Sequence, residues 1–218
     1  MSGLRHRVYG GRMPTDPTQA RAARWGALAL MARPAYIATE LITAAATTGG
    51  YSFVADSVSK LGEVGSSDGY ASPRHEVMNG SFVGFGVLLA GGAWLSNREL
   101  GPWVTGLLVV SGVSSVATGL APLDRDATLH AIAATPLFVA QPLALMGLGH
   151  RLRHRQPRLA QALLATGVVT AAGAVGFVLT GEDGAAAGAL ERLALWPVLF
   201  GLAGWAWSQR RAGFRDGR

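Results

Sequence analysis

The stretch "LAQALLATGVVTAAGAVGFVLTG", residues Leu159–Gly181, carries no charged side chain and decides the class of fold. A helix needs about 20 consecutive, mostly apolar residues to cross the hydrocarbon core of a bilayer. This stretch has that length, and its alanines and glycines allow neighbouring helices to approach closely inside a membrane. It therefore predicts a transmembrane helix.

Five further segments share this length and composition. The six predicted spans are Leu28–Thr48, Val77–Ser96, Trp103–Ala121, Leu129–Gly149, Leu159–Gly181 and Leu190–Ser208. The predicted fold is all-α, a polytopic membrane bundle of six transmembrane helices over residues 28–208. Basic tails precede and follow it, at residues 1–27 and 209–218.

The overall composition agrees with a membrane protein. Only 15% of the residues are charged, whereas a soluble domain has about 25%. The chain has no cysteine, which excludes disulfides and thiolate metal sites. Of its 19 basic residues only Lys60 is a lysine, and most of the arginines lie in the two tails and in the hydrophilic gaps between spans. We therefore expect these charges to meet the lipid bilayer and no nucleic acid.

The arginines also predict the orientation, because cytoplasmic loops of membrane proteins are enriched in basic residues. Both tails and the fourth gap, "HRLRHRQPR", are strongly basic, whereas the first, third and fifth gaps lean acidic. Both termini are thus predicted to be cytoplasmic, in a multi-pass protein of a bacterial plasma membrane. The oligomeric state is left open by the sequence.

With this orientation, the polar segment "YSFVADSVSKLG", Tyr51–Gly62, lies at the outer end of the bundle. Most other side chains capable of chemistry lie at the same end. The candidates are Asp56, Ser57, Ser59, Lys60, His75, Asn79, Asp124, Asp126, His130, Glu191 and Arg192.

Three of these side chains are catalytic candidates: His130, Asp124 and Ser59. A histidine at the membrane boundary can move a proton near neutral pH or ligate a metal. His75, His130 and Asp124 together could hold a divalent ion such as zinc. The alternative for Asp124 and Asp126 is that they cap the next helix.

Six further residues are candidates for binding a substrate, which we expect to be a lipid or an isoprenoid. Cationic groups such as Arg192 and Lys60 could hold its phosphate or carboxylate. The predicted set is Ser57, Lys60, Asn79, Glu191, Arg192 and Glu40.

Glu40 stands apart because it is the one acid near the middle of a predicted span, and intramembrane acids are candidates for function. It could be a structural acid that faces the serine- and threonine-rich stripe of the third span, "VSGVSSVATG". It could instead carry protons in a cavity. Arg33, two helical turns away, is expected to extend to the cytoplasmic interface.

Four motifs carry a resemblance to a known family: "YSFVADSVSKLGEVGS", "VMNGSFVGFGVLLAG", "TGLAPLDRDATLHAIAATPLF" and "GALERLALWPVL". Over roughly Pro34 to Trp207 the chain resembles the prokaryotic six-helix membrane family catalogued as domain of unknown function 998. The resemblance implies one shared feature and brings no established activity. Its residues are Ser57, Ser59, Leu61, Gly62, Asn79, Gly80, Pro122, Asp124, His130, Glu191 and Arg192.

A more distant similarity is to the ceramidase and receptor-like hydrolase superfamily, whose bundles hold zinc with serine, aspartate and histidine. Those proteins have seven spans and three histidine ligands. Here six spans are predicted, and only His75 and His130 face outward.

Three hypotheses follow for the function. The first is an enzyme, a hydrolase or transferase that acts on a lipid or isoprenoid at the outer leaflet. The second is a small proton-coupled transporter that uses Glu40. The third is a non-catalytic membrane subunit in which the outer motif only stabilises the loops.

Overall fold

A computed structural model describes residues 17–67 and 69–216, with side chains described as far as Arg211. The helices are α1 Pro17–Ala32, α2 Tyr36–Ala44, α3 His75–Leu95, α4 Asn97–Leu100, α5 Pro102–Leu120, α6 Ala127–Leu152, α7 Pro157–Thr180 and α8 Ala187–Asp216. Two 3₁₀ turns span Arg33–Ala35 and Ser59–Gly62. A short antiparallel hairpin, β1 Ser66–Ser67 and β2 Tyr70–Ala71, pairs Ser67 with Tyr70.

Four helices in the described part of the chain are long and apolar enough to cross a membrane, judged by length and composition: α3, α5, α6 and α7. Their outward faces carry large apolar side chains, such as Val178 and Leu179 on α7, which are 72% and 81% exposed. A soluble protein rarely exposes extended apolar surface of this kind. The chain is therefore a membrane protein.

The first predicted span, Leu28–Thr48, is not one continuous helix. The chain is already helical from Pro17, and a 3₁₀ turn at Arg33–Ala35 separates α1 from α2. Pro34 explains the break, since its ring removes a hydrogen-bond donor and clashes with the preceding turn. α8 is long enough to span, but it is not among the four helices above; six spans with cytoplasmic termini remain a prediction.

The long helices form a closed ring in chain order. α1 packs against α3 and α8, and each of α3, α5, α6 and α7 packs against the next long helix along the chain. α3 and α5 cross at close range, because a β-carbon at Gly86 would lie 2.7 Å from the Gly112 carbonyl oxygen. Only glycine at both positions allows the two backbones to meet this closely.

A cluster of buried apolar side chains supports one end of the ring. It contains Tyr36, Val58, Leu61, Met78, Phe82 and Leu199. Val58 and Leu61 come from the polar segment Tyr51–Gly62, so burying them anchors that segment on the helix ends.

Candidate functional site

The segment Tyr51–Gly62 lies across the first turns of α8. The amide of Ala189 donates to the carbonyl of Val54 at 2.9 Å, and the amide of Val58 donates to the carboxylate of Glu191. Gly188 permits this approach, because a β-carbon there would stand 2.1 Å from the Asp56 carbonyl oxygen. Direct contacts therefore hold this segment across the start of α8.

The 3₁₀ turn Ser59–Gly62 is fixed by its own carbonyl groups. The carbonyl of Leu61 accepts from Ser72 Oγ at 2.7 Å, and that of Gly62 accepts from Asn79 Nδ2 at 2.8 Å. Buried backbone carbonyls that gain such partners hold their segment in one position. Asn79, predicted to bind substrate, thus contacts the turn that carries Ser59.

Ser59 and His130 meet at the centre of the site. Ser59 Oγ lies 2.9 Å from His130 Nε2 and 3.2 Å from Glu191 Oε1, and all three side chains are buried. The other ring nitrogen, His130 Nδ1, lies 2.6 Å from the carbonyl oxygen of Ala121. The structure brings these three predicted residues together although they are far apart in sequence.

This geometry fixes the tautomer of His130. A carbonyl oxygen can only accept a hydrogen bond, so Nδ1 must carry the proton that faces Ala121. In the neutral ring, Nε2 is then an acceptor for the hydroxyl of Ser59, whose single proton is shared with the Glu191 carboxylate oxygen Oε1 at 3.2 Å. A serine within hydrogen-bond reach of an oriented histidine is the arrangement that activates a nucleophile.

Arg192 and Glu40 form a second, deeper arrangement. Arg192 Nε donates to Glu40 Oε1 at 2.7 Å, and Trp196 Nε1 donates to Glu40 Oε2 at 3.0 Å. The Arg192 guanidinium also donates to the Tyr51 hydroxyl and to the carbonyls of Phe53, Asp56 and Gly188. Arg192 thereby ties the polar segment to α8.

These contacts correct the expectation that Glu40 faces the polar stripe of the third span. Glu40 is fully buried against α8, because its two oxygens are taken by Arg192 and Trp196. The serines of the stripe bond to α6 instead: Ser114 donates to the carbonyl of Ala133, and Ser111 accepts from Gln141. The third span therefore bonds to α6 rather than to Glu40.

The predicted metal residues occupy separate hydrogen-bond arrangements. Asp124 accepts from the amides of Val64 and Gly65 at 3.1 and 2.8 Å, and His75 Nδ1 lies 2.9 Å from the Ser72 carbonyl oxygen. Within residues 17–67 and 69–216, no three histidine, aspartate or glutamate side chains are placed to hold a metal ion together. The geometry thus gives no support to the set His75, His130 and Asp124.

The prediction that Asp124 and Asp126 cap the next helix holds for only one of them. Asp126 Oδ1 accepts from the amide of Leu129 at 2.8 Å and is the N-cap of α6. Asp124 instead holds the loop that follows the 3₁₀ turn, as its two amide contacts indicate.

The exposed rim of the site has its own charge pair. Lys60 Nζ lies 2.6 Å from Asp56 Oδ1, and Ser57 Oγ accepts from the Lys60 amide at 3.2 Å. Partial burial of Asp56 acts to raise its pKa, but the hydrogen bonds from Lys60 and the Ser52 amide outweigh it and leave that pKa below its ordinary value.

Two acids near the site have the opposite shift. Burial, followed by the charge of Asp124, raises the pKa of Glu63, and burial raises the pKa of Glu182. Glu182 lies close to Ser57 and His130, and its Oε2 is buried without a hydrogen-bond partner among the described residues. Sequence reasoning missed Glu182 as a site residue, although its position in an outer acidic gap was a usable signal.

A pocket in the interior of the ring opens next to Ser59. Its cavity volume is about 40 Å³. That is room for roughly three water molecules. Its walls come from α2, α3, α5, α6 and α8, and they combine aromatic side chains such as Phe82, Phe85 and Phe138 with Ser59 and Glu191.

The comparison with known families agrees with the motifs that surround this site. The family described as "Protein of unknown function (DUF998)" matches residues 30–208. The chain belongs to this family. No curated protein and no solved structure matches it. The family description assigns no reaction, so a functional argument depends on the geometry of the site.

Proposed function

We propose that this family member is an enzyme of the bacterial plasma membrane, a hydrolase or acyl transferase that acts on a lipid or isoprenoid ester in the outer leaflet. In this proposal residues 28–208 form six spans and both basic tails are cytoplasmic. Ser59 is the nucleophile and His130 is the general base. The site lies at the outer end of the bundle, where the acidic gaps are.

The observation that carries the proposal is the contact between Ser59 Oγ and His130 Nε2 at 2.9 Å. This distance falls in the range for a nucleophile and its base, and the 2.6 Å contact from Nδ1 to the Ala121 carbonyl supplies the orienting third group. Glu182, whose charge acts on His130, would stabilise the imidazolium that forms.

The reaction proceeds in two balanced steps. Ser59 Oγ attacks the ester carbonyl carbon as its proton passes to His130 Nε2, and the leaving alcohol departs with that proton. Water, or an acceptor alcohol in a transferase, then loses its proton to Nε2 and attacks the acyl-serine. The serine regains the proton as the acid or the new ester leaves. The apolar side chains that line the small pocket beside Ser59 are compatible with the uncharged ester group of a lipid or isoprenoid.

Covalent labelling with a long-chain fluorophosphonate tests this assignment in detergent-purified protein. We expect labelling of the wild type at Ser59 and its loss in Ser59→Ala, with a loss of at least tenfold in His130→Gln. Ser115→Ala is the matched control, since Ser115 lines the same pocket but donates to the Phe82 carbonyl. Equal labelling of Ser59→Ala and the wild type would refute a Ser59 nucleophile.

A non-catalytic subunit is the second candidate, and one observation favours it. Each of the three nitrogens of the Arg192 guanidinium already donates to an oxygen of the protein. Such a network stabilises loops without any ligand. A wild-type protein that resists every fluorophosphonate tested would favour this function over the enzyme.

A further inference from the structure

The turn formed by residues 52–56 (the 52–56 turn) lies near the start of the polar segment and presents two apolar side chains to the outside of the protein. Phe53 is 37% exposed and Val54 is 58% exposed. The apolar side chains that anchor the polar segment, Val58 and Leu61, are instead fully buried. Packing within the protein therefore leaves much of Phe53 and Val54 uncovered.

The hydrogen bonds of the backbone in the 52–56 turn are made within the protein. Each of its five carbonyl groups accepts one: two accept from the Arg192 guanidinium, two from amides in the first turn of α8 and one from the amide of Asp56. Four of its amides donate: those of Val54 and Ala55 to Ser52 Oγ, that of Asp56 to the Ser52 carbonyl, and that of Ser52 to the Asp56 carboxylate. These carbonyl and amide groups need no water as a partner.

This internal hydrogen bonding matters because the hydrocarbon of a bilayer offers no hydrogen-bond partners. Non-helical backbone is tolerated at membrane depth only where the protein itself satisfies it, whereas a turn in water can bond to the solvent. The short hairpin, which contacts the polar segment through the bond from Tyr70 to the Lys60 carbonyl, exposes the polar side chains of Ser66 and Ser67 instead. The 52–56 turn therefore has the apolar side chains and the satisfied backbone that contact with lipid requires.

The contacts of the 52–56 turn with α8 set its level along the bundle. The Val54 carbonyl accepts from the amide of Ala189, and Leu193, four residues further along α8, is an exposed apolar side chain. A rise of about 1.5 Å per residue separates these two positions by about 6 Å along the helix axis. Leu41 and Ile42 near the end of α2 are exposed as well. Val54 thus lies close to the level of the exposed apolar surface of the helices.

The charged groups beside the 52–56 turn are paired. The Phe53 ring lies over the Arg192 guanidinium, with 4.8 Å between the ring centroid and Cζ, and Arg192 is paired with Glu40. Asp56, the charged residue of the turn, pairs with Lys60 Nζ at 2.6 Å. Charged side chains near membrane hydrocarbon pair with one another in this way. The turn can therefore approach lipid without exposing a single charge to it.

We propose that the 52–56 turn inserts into the lipid leaflet at this end of the bundle, where Phe53 and Val54 contact the acyl chains. Amphipathic helices that lie on a membrane bury their apolar face about 5–10 Å into the boundary between headgroups and acyl chains, and we expect the same depth here. At that depth the Lys60–Asp56 pair lies among the headgroups. The assignment does not depend on the proposed reaction, since Phe53 and Val54 lie outside the pocket beside Ser59.

Spin labelling of the full-length protein in nanodiscs of phosphatidylcholine and phosphatidylglycerol tests this contact, and the native chain has no cysteine that would interfere. A nitroxide on Val54→Cys reports collisions with oxygen, which concentrates among the acyl chains, and with a water-soluble nickel chelate. Val178→Cys on α7 is the lipid-facing control, and Ser66→Cys on the hairpin is the water-facing control. We expect the ratio of oxygen to nickel accessibility at Val54 to resemble that at Val178 and to exceed that at Ser66 several-fold.

Either of two other results would overturn the proposal. A ratio at Val54 equal to that at Ser66 would place the 52–56 turn in water. A label at Val54 that neither reagent reaches would show that a protein, such as a second copy of the chain, covers the turn instead of lipid.

The reactivity of the thiol itself gives a second measurement, without a bulky label. In the same nanodiscs, the Val54→Cys thiol should react with a membrane-impermeant maleimide about tenfold more slowly than the Ser66→Cys thiol, because apolar surroundings disfavour the reactive thiolate. Both thiols should react at the same rate after unfolding in dodecyl sulfate. Equal rates in the folded protein would contradict insertion of the turn.

Discussion

The ion pair between Glu40 and Arg192 offers the sharpest test of how the outer end of the bundle is held together. Replacing Glu40 with leucine keeps a side chain of similar size and leaves the guanidinium of Arg192 buried without its carboxylate. Removing one partner of a buried pair costs about 3–5 kcal/mol. Arg192 keeps its contacts with the Tyr51 hydroxyl and three backbone carbonyls, so we expect a loss of about 3 kcal/mol for Glu40→Leu.

The reverse change should cost more. Arg192→Met leaves Glu40, which is fully buried, with only the hydrogen bond from Trp196, and it also releases the polar segment from α8. We therefore expect a loss of about 5 kcal/mol. The double variant leaves neither charge unpaired, so its loss should be smaller than the sum of the two single losses by about 2 kcal/mol or more.

The free energy of unfolding can be measured by titrating a denaturing detergent into mixed micelles and following helix content. Glu99→Gln, which neutralises an exposed acid on α4, is the control and should stay within about 0.5 kcal/mol of the wild type. Additive losses in the double variant, or a loss in Glu40→Leu no larger than that of the control, would refute the reasoning.

Three further expectations follow from single contacts. Gly188→Ala should weaken the docking of the polar segment and lower the free energy of unfolding by about 2 kcal/mol, since its β-carbon would stand 2.1 Å from the Asp56 carbonyl oxygen. The control is Gly204→Ala on the same helix, whose β-carbon would meet nothing within 4 Å. It should raise the free energy of unfolding by up to about 1 kcal/mol in the same titration. Asp56→Asn should be less stable than the wild type at pH 6 and equally stable at low pH. The carboxylate paired with Lys60 has a lowered pKa, so its contribution to stability disappears as the pH falls through that pKa. A difference in unfolding free energy that grows on acidification would contradict this. Asp126→Ala should cost about 1 kcal/mol through loss of the α6 cap, whereas Asp126→Asn should cost only a few tenths; equal losses would contradict a cap.

The helical architecture could be predicted from hydropathy because a bilayer requires long apolar helices. The predicted spans at Val77–Ser96, Trp103–Ala121, Leu129–Gly149 and Leu159–Gly181 correspond to helices α3, α5, α6 and α7. The break at Arg33–Ala35 was not predicted. A proline within a span is compatible with either a kink or an interruption, and only the neighbouring helices decide between them.

The sequence indicated which residues gather at the candidate site but not which of them contact each other. The predicted orientation places Ser59, His130 and Glu191 at the same end of the bundle, because each lies in or beside one of the three acidic gaps. Which of them touch depends on how the polar segment folds over α8, and that depends on buried apolar contacts such as Val58 and Leu61. Sequence periodicity carries no information about contacts of this range.

The contacts of Arg33 and Glu40, two charged residues of the first predicted span, could not be predicted from the sequence either. Both were recognised as unusual charges, but Arg33 is buried instead of reaching the interface, and Glu40 contacts Arg192 instead of the polar stripe that was one of its two predicted surroundings. A long side chain near a span end can extend to the interface or turn inward, and the choice follows from cavities that tertiary packing creates. The partner of Glu40 lies on the last long helix, which no local pattern could indicate.

The closed ring of helices has a consequence for the order of events during synthesis. Glu40 and Arg192 are 152 residues apart, so at about 5–20 residues per second the ribosome takes roughly 8–30 s to deliver the arginine after the glutamate. Throughout that interval Glu40 has no arginine partner from α8. The packing of α1 against α8 closes the ring, so a chain that ends before residue 191 lacks both the Glu40–Arg192 ion pair and the contact of Ser59 with Glu191.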